Sequence, residues 1–345
     1  MRHASVLLLV PVVVVICLVG CTPKQPTAPT SGPTTPPTTK TGTTPPAGTP
    51  GKHYEIAVVP KGTAHSFWLT VKAGAEAAGQ EFGATIHWNG PSKETEVDRQ
   101  KSIVEDFISQ KVDAIVMAAC NADALVPTVK QAIETGIPVV TIDSGISSDD
   151  AYSFVATDNV AGARKAGEKL LELIGGKGKV GLIPFKKGAQ SSDQREQGFR
   201  EAIKAVEPAV SIAAVLYSES DASGAMTAAE DMLTASPDLA GIFAANEPAG
   251  VGAAQVLKQR KLGGKVKLVA FDASEAEITA LQEGTIQALV VQNPFKMGYD
   301  GVHTAIRVLN GEQVDKRIDT GVAVVTMDNL NDPEIHKLLY PLEGR

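Results

Sequence analysis

Val266-Lys267-Leu268-Val269-Ala270-Phe271-Asp272-Ala273-Ser274 is a short, mostly apolar run that ends in an aromatic ring and a carboxylate. It has the composition of a buried strand closed by a polar turn. An earlier run, Ile137-Pro138-Val139-Val140-Thr141-Ile142-Asp143-Ser144-Gly145, has the same form. In parallel α/β sheets, ligands lie beyond the carboxyl ends of the strands. Two strand ends that each offer an aspartate therefore predict a binding cleft with two walls.

Working outward, both runs close longer matching units. VDAIVMAACNADAL (112–125) leads to IPVVTIDSG (137–145), and PDLAGIFAANEPAGVG (237–252) leads to VKLVAFDAS (266–274). Each has an aspartate before a buried strand, a polar turn, a helix, and a last strand ending in aspartate. Before 112 the pattern predicts strands at 54–59 and 84–88 and helices at 67–82 and 94–110; within the first unit, a strand at 114–118 and a helix at 125–135. The second unit predicts strands at 180–184, 212–217, 241–244 and 266–271 with helices at 192–206, 225–236 and 251–260. Strands alternating with helices imply parallel sheets and right-handed crossovers.

The fold class expected is α/β, with two similar doubly wound parallel-sheet lobes. FVATDNVAGARKAGEKLLELI (154–174) leaves the first unit, ALVVQNPFKMGYDGVHTAIRVL (288–309) leaves the second, and GVAVVTMDNL (321–330) supplies a last strand. Three passages between lobes predict a three-segment hinge. The expected lobes are 53–157 with 293–321, and 158–292 with 322–345.

The N-terminus reads as a leader. Arg2 and His3 precede an apolar run over 6–16, too short to span a bilayer comfortably, followed by Leu18-Val19-Gly20-Cys21. Residues 1–21 are thus expected to be a signal peptide whose end resembles the bacterial lipobox, with Cys21 the lipid-carrying residue. Residues 22–52 are the expected tether: 22–51 hold nine prolines and eleven threonines with no aromatic, a composition that cannot bury a core. Without Cys17 and Cys21, Cys120 stands alone, so no intrachain disulfide is available.

The 345 residues carry a formal charge of -7, or -8 once Arg2 leaves with the leader, which argues against nucleic acid as a partner. The six histidines show no metal-ligand spacing, and neither a phosphate-binding GxxxxGK[ST] loop nor a G-x-S-x-G nucleophile turn occurs. No enzyme, metal or cofactor is expected. Polar and aromatic residues gather instead at predicted strand ends: His65, Phe67 and Trp68; Asp143 and Ser144; Arg195; Asn246; Phe271 and Asp272; Gln292. Carboxylates accept hydroxyl hydrogens, Arg195 donates, Asn246 and Gln292 do both, and aromatic faces cover the C–H faces of a sugar ring. The set suits a small polyhydroxylated neutral ligand. Asp143 and Asp272 could equally cap helices, Arg195 could pair at the surface, and His65 could be a solvated loop residue. Phe67 and Trp68, adjacent at a helix start, cannot both point inward, so one is expected to face the cleft.

GIPVVTIDSG, FVATDNVAGARKAG, SSDQREQGFREAI, IFAANEPAGVGAA, VAFDAS and VVQNPFKMGYDGV together resemble the periplasmic sugar-binding proteins of the ribose-binding type, over about 54–330. The resemblance implies the type I periplasmic binding fold and a lipid-anchored, monomeric, extracytoplasmic protein that hands its ligand to an ABC importer permease. It implies Phe67, Trp68 and Phe271 as stacking aromatics, Asp143, Asn246 and Asp272 as hydroxyl partners, and Arg195 and Gln292 as donors across the cleft. His65, Ser144 and Ala118 stand where many members have asparagine, arginine and asparagine, which departs from a ribose site. A receptor that presents a sugar-like signal to a membrane sensor is the alternative reading.

Overall fold

The computed structural model describes residues 52–343. The expected leader, the acylated Cys21 and the tether up to Gly51 lie outside the described residues.

In chain order the elements begin with β1 (Tyr54–Val59), α1 (Ser66–Phe82), β2 (Ala84–Trp88), α2 (Val97–Gln110), β3 (Ala114–Met117), α3 (Val126–Glu134), β4 (Val139–Ile142) and β5 (Ser153–Ala156). They continue with α4 (Asn159–Leu173), β6 (Gly178–Ile183), α5 (Gln190–Lys204), β7 (Val210–Val215), α6 (Ala222–Ala235), β8 (Leu239–Ala244), α7 (Glu247–Gln259), β9 (Lys267–Phe271), α8 (Glu275–Gln282) and β10 (Ala288–Val291). The chain ends with α9 (Pro294–Leu309), β11 (Arg317–Asp319), β12 (Ala323–Val325) and α10 (Pro333–Leu339).

The strands form two six-stranded sheets, ordered β2-β1-β3-β4-β5-β11 and β7-β6-β8-β9-β10-β12. The two orders are equivalent position by position, as the duplicated sequence implies. All pairings are parallel except that of β10 with β12. Both sheets are covered on both faces. In the first, α1 and α9 pack on Ile56, Val58, Val116 and Ile142, while α2 and α3 pack on Ala57, Val59, Ile115 and Met117. In the second, α4 and α5 cover Val180, Leu182, Val269 and Phe271, and α6, α7 and α8 cover Ile183, Ile242, Leu268 and Ala270. Central strands such as AIVM at β3 are therefore apolar at every position, because neither face meets water.

The chain passes between sheets after β5, after β10 and after β11. Next to these passages the helices pack unusually close. A Cβ on Gly298 of α9 would lie 2.0 Å from the carbonyl oxygen of Val71 in α1, and one on Gly74 would lie 2.0 Å from that of Phe295. Only glycine permits that approach.

Strands β5 and β11, strand β10 and helices α8 and α10 go beyond the elements read from the sequence. The first two have only four and three residues, inside segments dominated by helical or polar pattern. Helix α7 starts at Glu247, not 251, because Asn246 accepts the N–H of Ala249 as its cap and Pro248 fits the first turn.

Candidate functional site

Both sheets reverse their strand order beside the first strand of each lobe, between β1 and β3 and between β6 and β8. That is the topological switch point at which open α/β sheets bind ligands. The loops leaving the carboxyl ends there meet across a cleft.

Asp143 follows β4 and Asp272 follows β9. Both adopt left-handed backbone, with φ of +54° and +87°. Aspartate tolerates that region better than most residues, and such conformations gather at functional positions. Their backbone N–H groups make equivalent bonds to the next strand, to Val155 O at 3.0 Å and Val290 O at 2.9 Å. The turn aims both carboxylates into one pocket, lined by Lys61, His65, Phe67, Trp68, Glu94, Asp143, Phe185, Arg195, Asn246, Glu247, Pro248, Asp272 and Gln292. Its cavity volume is only about 20 Å³ in this arrangement, so the lobes must part for a guest to enter.

Eight of the ten residues singled out in the sequence therefore meet there. Trp68 is almost wholly buried in the wall, its indole N–H donating to Glu94 Oε1 at 2.9 Å, with the Phe67 ring perpendicular to it. Arg195 is buried; Nε donates to Asn159 Oδ1 at 2.8 Å and Nη1 to Ala245 O at 2.7 Å, which leaves the second Nη1 hydrogen and both Nη2 hydrogens as remaining donors. Its Nη1 stands 4.0 Å from Asp272 Oδ2. Gln292 Nε2 donates to Asp272 Oδ1 at 2.6 Å. Asn246 is more committed than expected: its side chain caps α7 and donates to Ser220 Oγ at 2.9 Å, so one amide hydrogen is left for a ligand.

Two residues stand behind the pocket wall. Phe271 is wholly buried, and its ring carries the Arg195 guanidinium at 3.8 Å, so it orients the arginine. Ser144 Oγ accepts the N–H of Ser191 from the other lobe at 3.3 Å. It joins the lobes instead of lining the pocket.

Lys61, Glu94 and Phe185 were not singled out in the sequence. The Lys61 ammonium is buried between the rings of Phe185 and Trp68, at 4.8 and 5.7 Å, and lies 2.9 Å from Asp143 Oδ2 and 3.8 Å from Glu94 Oε2. Burial pulls its pKa down, but Asp143 and Glu94 outweigh it and raise the pKa, so the group is cationic. Burial likewise pushes Glu94 up, yet Lys61, His65 and Trp68 hold it at about 2. Burial lowers His65, whose net shift is upward because Glu94 lies 3.6 Å from its Nδ1 and Glu247 is close. Burial raises Asp272 despite Arg195. The signal that could have found Lys61 is the rule that found Asp143: it directly follows an apolar strand and Pro60 at a carboxyl end.

Three buried oxygens in this pocket lack a hydrogen-bond donor: Glu94 Oε2, Asp143 Oδ2 and Gln292 Oε1. Asp143 Oδ2 pairs with Lys61 by charge, without the alignment of a hydrogen bond. The lobes also bond directly. Lys61 Nζ donates to Ser191 Oγ at 3.1 Å, Gly145 N to Gln190 Oε1 at 3.0 Å, and Ser66 N and Phe67 N to the Glu247 carboxylate at 3.2 and 3.0 Å. No group of His, Cys, Asp and Glu able to hold a metal occurs among the described residues.

A two-lobed α/β protein with a hydroxyl-matching cleft between its sheets is a binding protein of the periplasmic class. The match to the periplasmic binding protein domain over residues 56–313 is more specific: the chain belongs to that family. It is 32% identical over 283 residues to the D-ribose/D-allose-binding protein of Pseudomonas aeruginosa, covering 79% of this chain and 88% of that one. A solute-binding protein of a carbohydrate transporter from Agrobacterium radiobacter, solved with D-arabinose, superposes with a TM-score of 0.81 at 36% identity, covering 83% of this chain and 99% of that one. An ABC transporter solute-binding protein from Agrobacterium vitis with bound D-fucose gives 0.80 at 40% identity, over 83% and 100%.

Proposed function

We propose that this protein captures a monosaccharide or sugar-like polyol between its lobes and delivers it to an ABC importer permease. The observation that carries this is the pair of strand-end aspartates, Asp143 from one sheet and Asp272 from the other, aimed into a single pocket. A guest bonded to both walls binds the closed arrangement better than an open one, and only such a difference shifts the equilibrium between them. Closure proceeds by bending at the three passages between the lobes.

In this reading Phe67, Trp68 and Phe185 cover the ring faces. Asp143, Asp272 and Gln292 accept hydroxyl hydrogens, Arg195 Nη2 and the free Asn246 hydrogen donate, and His65 lines the rim. Ser144 and Phe271 act from behind. The chemistry is gripping and release, with no chemical step. Working outside the cytoplasmic membrane, the protein is anchored to a membrane through acylated Cys21 and the proline-threonine tether, and acts as a monomer.

Isothermal titration of the full chain with D-ribose, D-allose, D-arabinose, D-fucose, D-tagatose and xylitol tests this. Saturable binding of at least one sugar is expected, abolished or strongly weakened by Asp272→Ala. No binding across the panel at millimolar concentration overturns the sugar reading.

A further inference from the structure

Glu94 and Lys61 lie at the first-lobe end of the pocket, after β2 and β1. Resting on the sugar reading above, we infer that they form a further ligand-contacting pair, in which Glu94 accepts one particular sugar hydroxyl, and that this pair confines the site to neutral sugars carrying that hydroxyl.

The geometry separates the two oxygens of Glu94. Oε1 is occupied by the indole N–H of Trp68 at 2.9 Å and faces His65 Nδ1 at 3.6 Å. Oε2 has no hydrogen-bond donor although the side chain is 5% exposed, and Lys61 Nζ stands at 3.8 Å, beyond hydrogen-bond reach. A buried, charged oxygen without a donor is unfavourable, and a hydroxyl hydrogen relieves it. Trp68 and Lys61 fix the carboxylate, so the hydroxyl must come to it.

Lys61 supplies the other half of the contact. Of its three N–H donors, one reaches Ser191 Oγ at 3.1 Å and one is drawn to Asp143 Oδ2 at 2.9 Å. The third is available to a hydroxyl that donates to Glu94 Oε2. Such a hydroxyl accepts from the ammonium and gives to the carboxylate, and each bond polarises the other. With Gln292 Oε1, the pocket presents two buried acceptors without hydrogen-bond donors, one from each lobe, beside the Asp143 carboxylate that Lys61 engages. The guest must bring several hydroxyls.

Charge narrows the class further. Glu94, Asp143 and Asp272 face Lys61 and Arg195, and Glu247 adds a fourth carboxylate, so acids outnumber the two permanent cations in the lining. A sugar acid or sugar phosphate would place its anion among these carboxylates. His65 is the titratable group at the rim that would offset this when protonated.

The test is isothermal titration of the wild-type chain, Glu94→Gln and Lys61→Met. The probes are D-arabinose, D-fucose, D-tagatose and D-ribose, the singly deoxygenated analogues of the tightest binder, and its sugar acid. Thermal unfolding checks that each variant is folded. On the wild type, one deoxy analogue should bind about 10- to 100-fold more weakly through loss of the Glu94 bond. Glu94→Gln should shrink that penalty severalfold and leave the penalties at other positions, and should narrow the gap between the sugar and its acid. Improved relative binding of the acid cannot arise from a misfolded chain. Lys61→Met should erase the same positional penalty. If both variants weaken every analogue by one common factor, the pair is structural and the inference falls. If the wild type binds no sugar in the panel, the sugar reading falls and this inference with it.

Discussion

Helix α1 is capped by the opposite lobe. Its N-cap residue, His65, makes no side-chain cap bond, and its first turn holds no acidic residue. The N–H groups of Ser66 and Phe67 donate instead to Glu247, at the start of α7, at 3.2 and 3.0 Å. When the lobes part, that cap is lost to water. An N-cap contributes about 1 kcal/mol, and a carboxylate at a helix N-terminus adds about 0.5 kcal/mol. Ser66 is exposed, so the larger values for buried charged hydrogen bonds do not apply. Glu247→Ala should thus weaken the closed form by about 1–2 kcal/mol, which is roughly 5- to 30-fold in affinity for the tightest sugar of the panel. The loss should lie in the dissociation rate, with association changed by less than about twofold, measured by stopped-flow fluorescence of Trp68. Glu247 also lines the pocket, so a second perturbation separates capping from ligand contact. Ser66→Pro removes one donor, and His65 before it, at φ −85° and ψ 148°, already has the backbone that a following proline requires. The two variants should be non-additive, the double mutant losing little more than Glu247→Ala alone. Additive losses, or an unchanged dissociation rate in Glu247→Ala, would refute the reasoning.

Four other outcomes follow from the same geometry. Asp143→Ala leaves Lys61 buried with Glu94 at 3.8 Å as its nearest acid, so the unliganded chain should lose about 3 kcal/mol in a denaturant titration. His65 has a folded pKa above its ordinary 6.5, so its stabilisation is complete below pH 6.5 and fades as pH rises through the folded value; His65→Asn should flatten that part of a melting-temperature profile. Glu94 works in the opposite direction: held at about 2 against an ordinary 4.5, it contributes above pH 4.5 and loses its contribution as pH falls toward 2, a loss absent in Glu94→Gln. Gly298→Ala puts a methyl 2.0 Å from Val71 O, so α1 and α9 must separate; we expect a loss of about 1–3 kcal/mol by denaturant titration and weaker sugar binding through displaced Phe67 and Trp68.

The amino-acid sequence by itself determined the repeated β/α order, the two lobes' shared plan and the strand ends that carry Asp143, Asn246, Asp272 and Gln292. These were legible because strand burial on both faces writes continuous apolar runs, and a polar residue that ends such a run stands out. Tertiary structure alone decided which polar residues share a pocket. Lys61 beside Gly62 reads as a solvated turn, and Glu94 within SKETE reads as a surface helix start. They meet only because β1 and β2 are neighbours in the sheet, which brings together loops 33 residues apart in the chain, 94 minus 61. Phe271 and Ser144 sit at the right strand ends, yet one turns beneath Arg195 and the other toward Ser191. Side-chain direction at a strand end is set by the backbone turn and by what packs behind it, and neither is written in residue type or spacing.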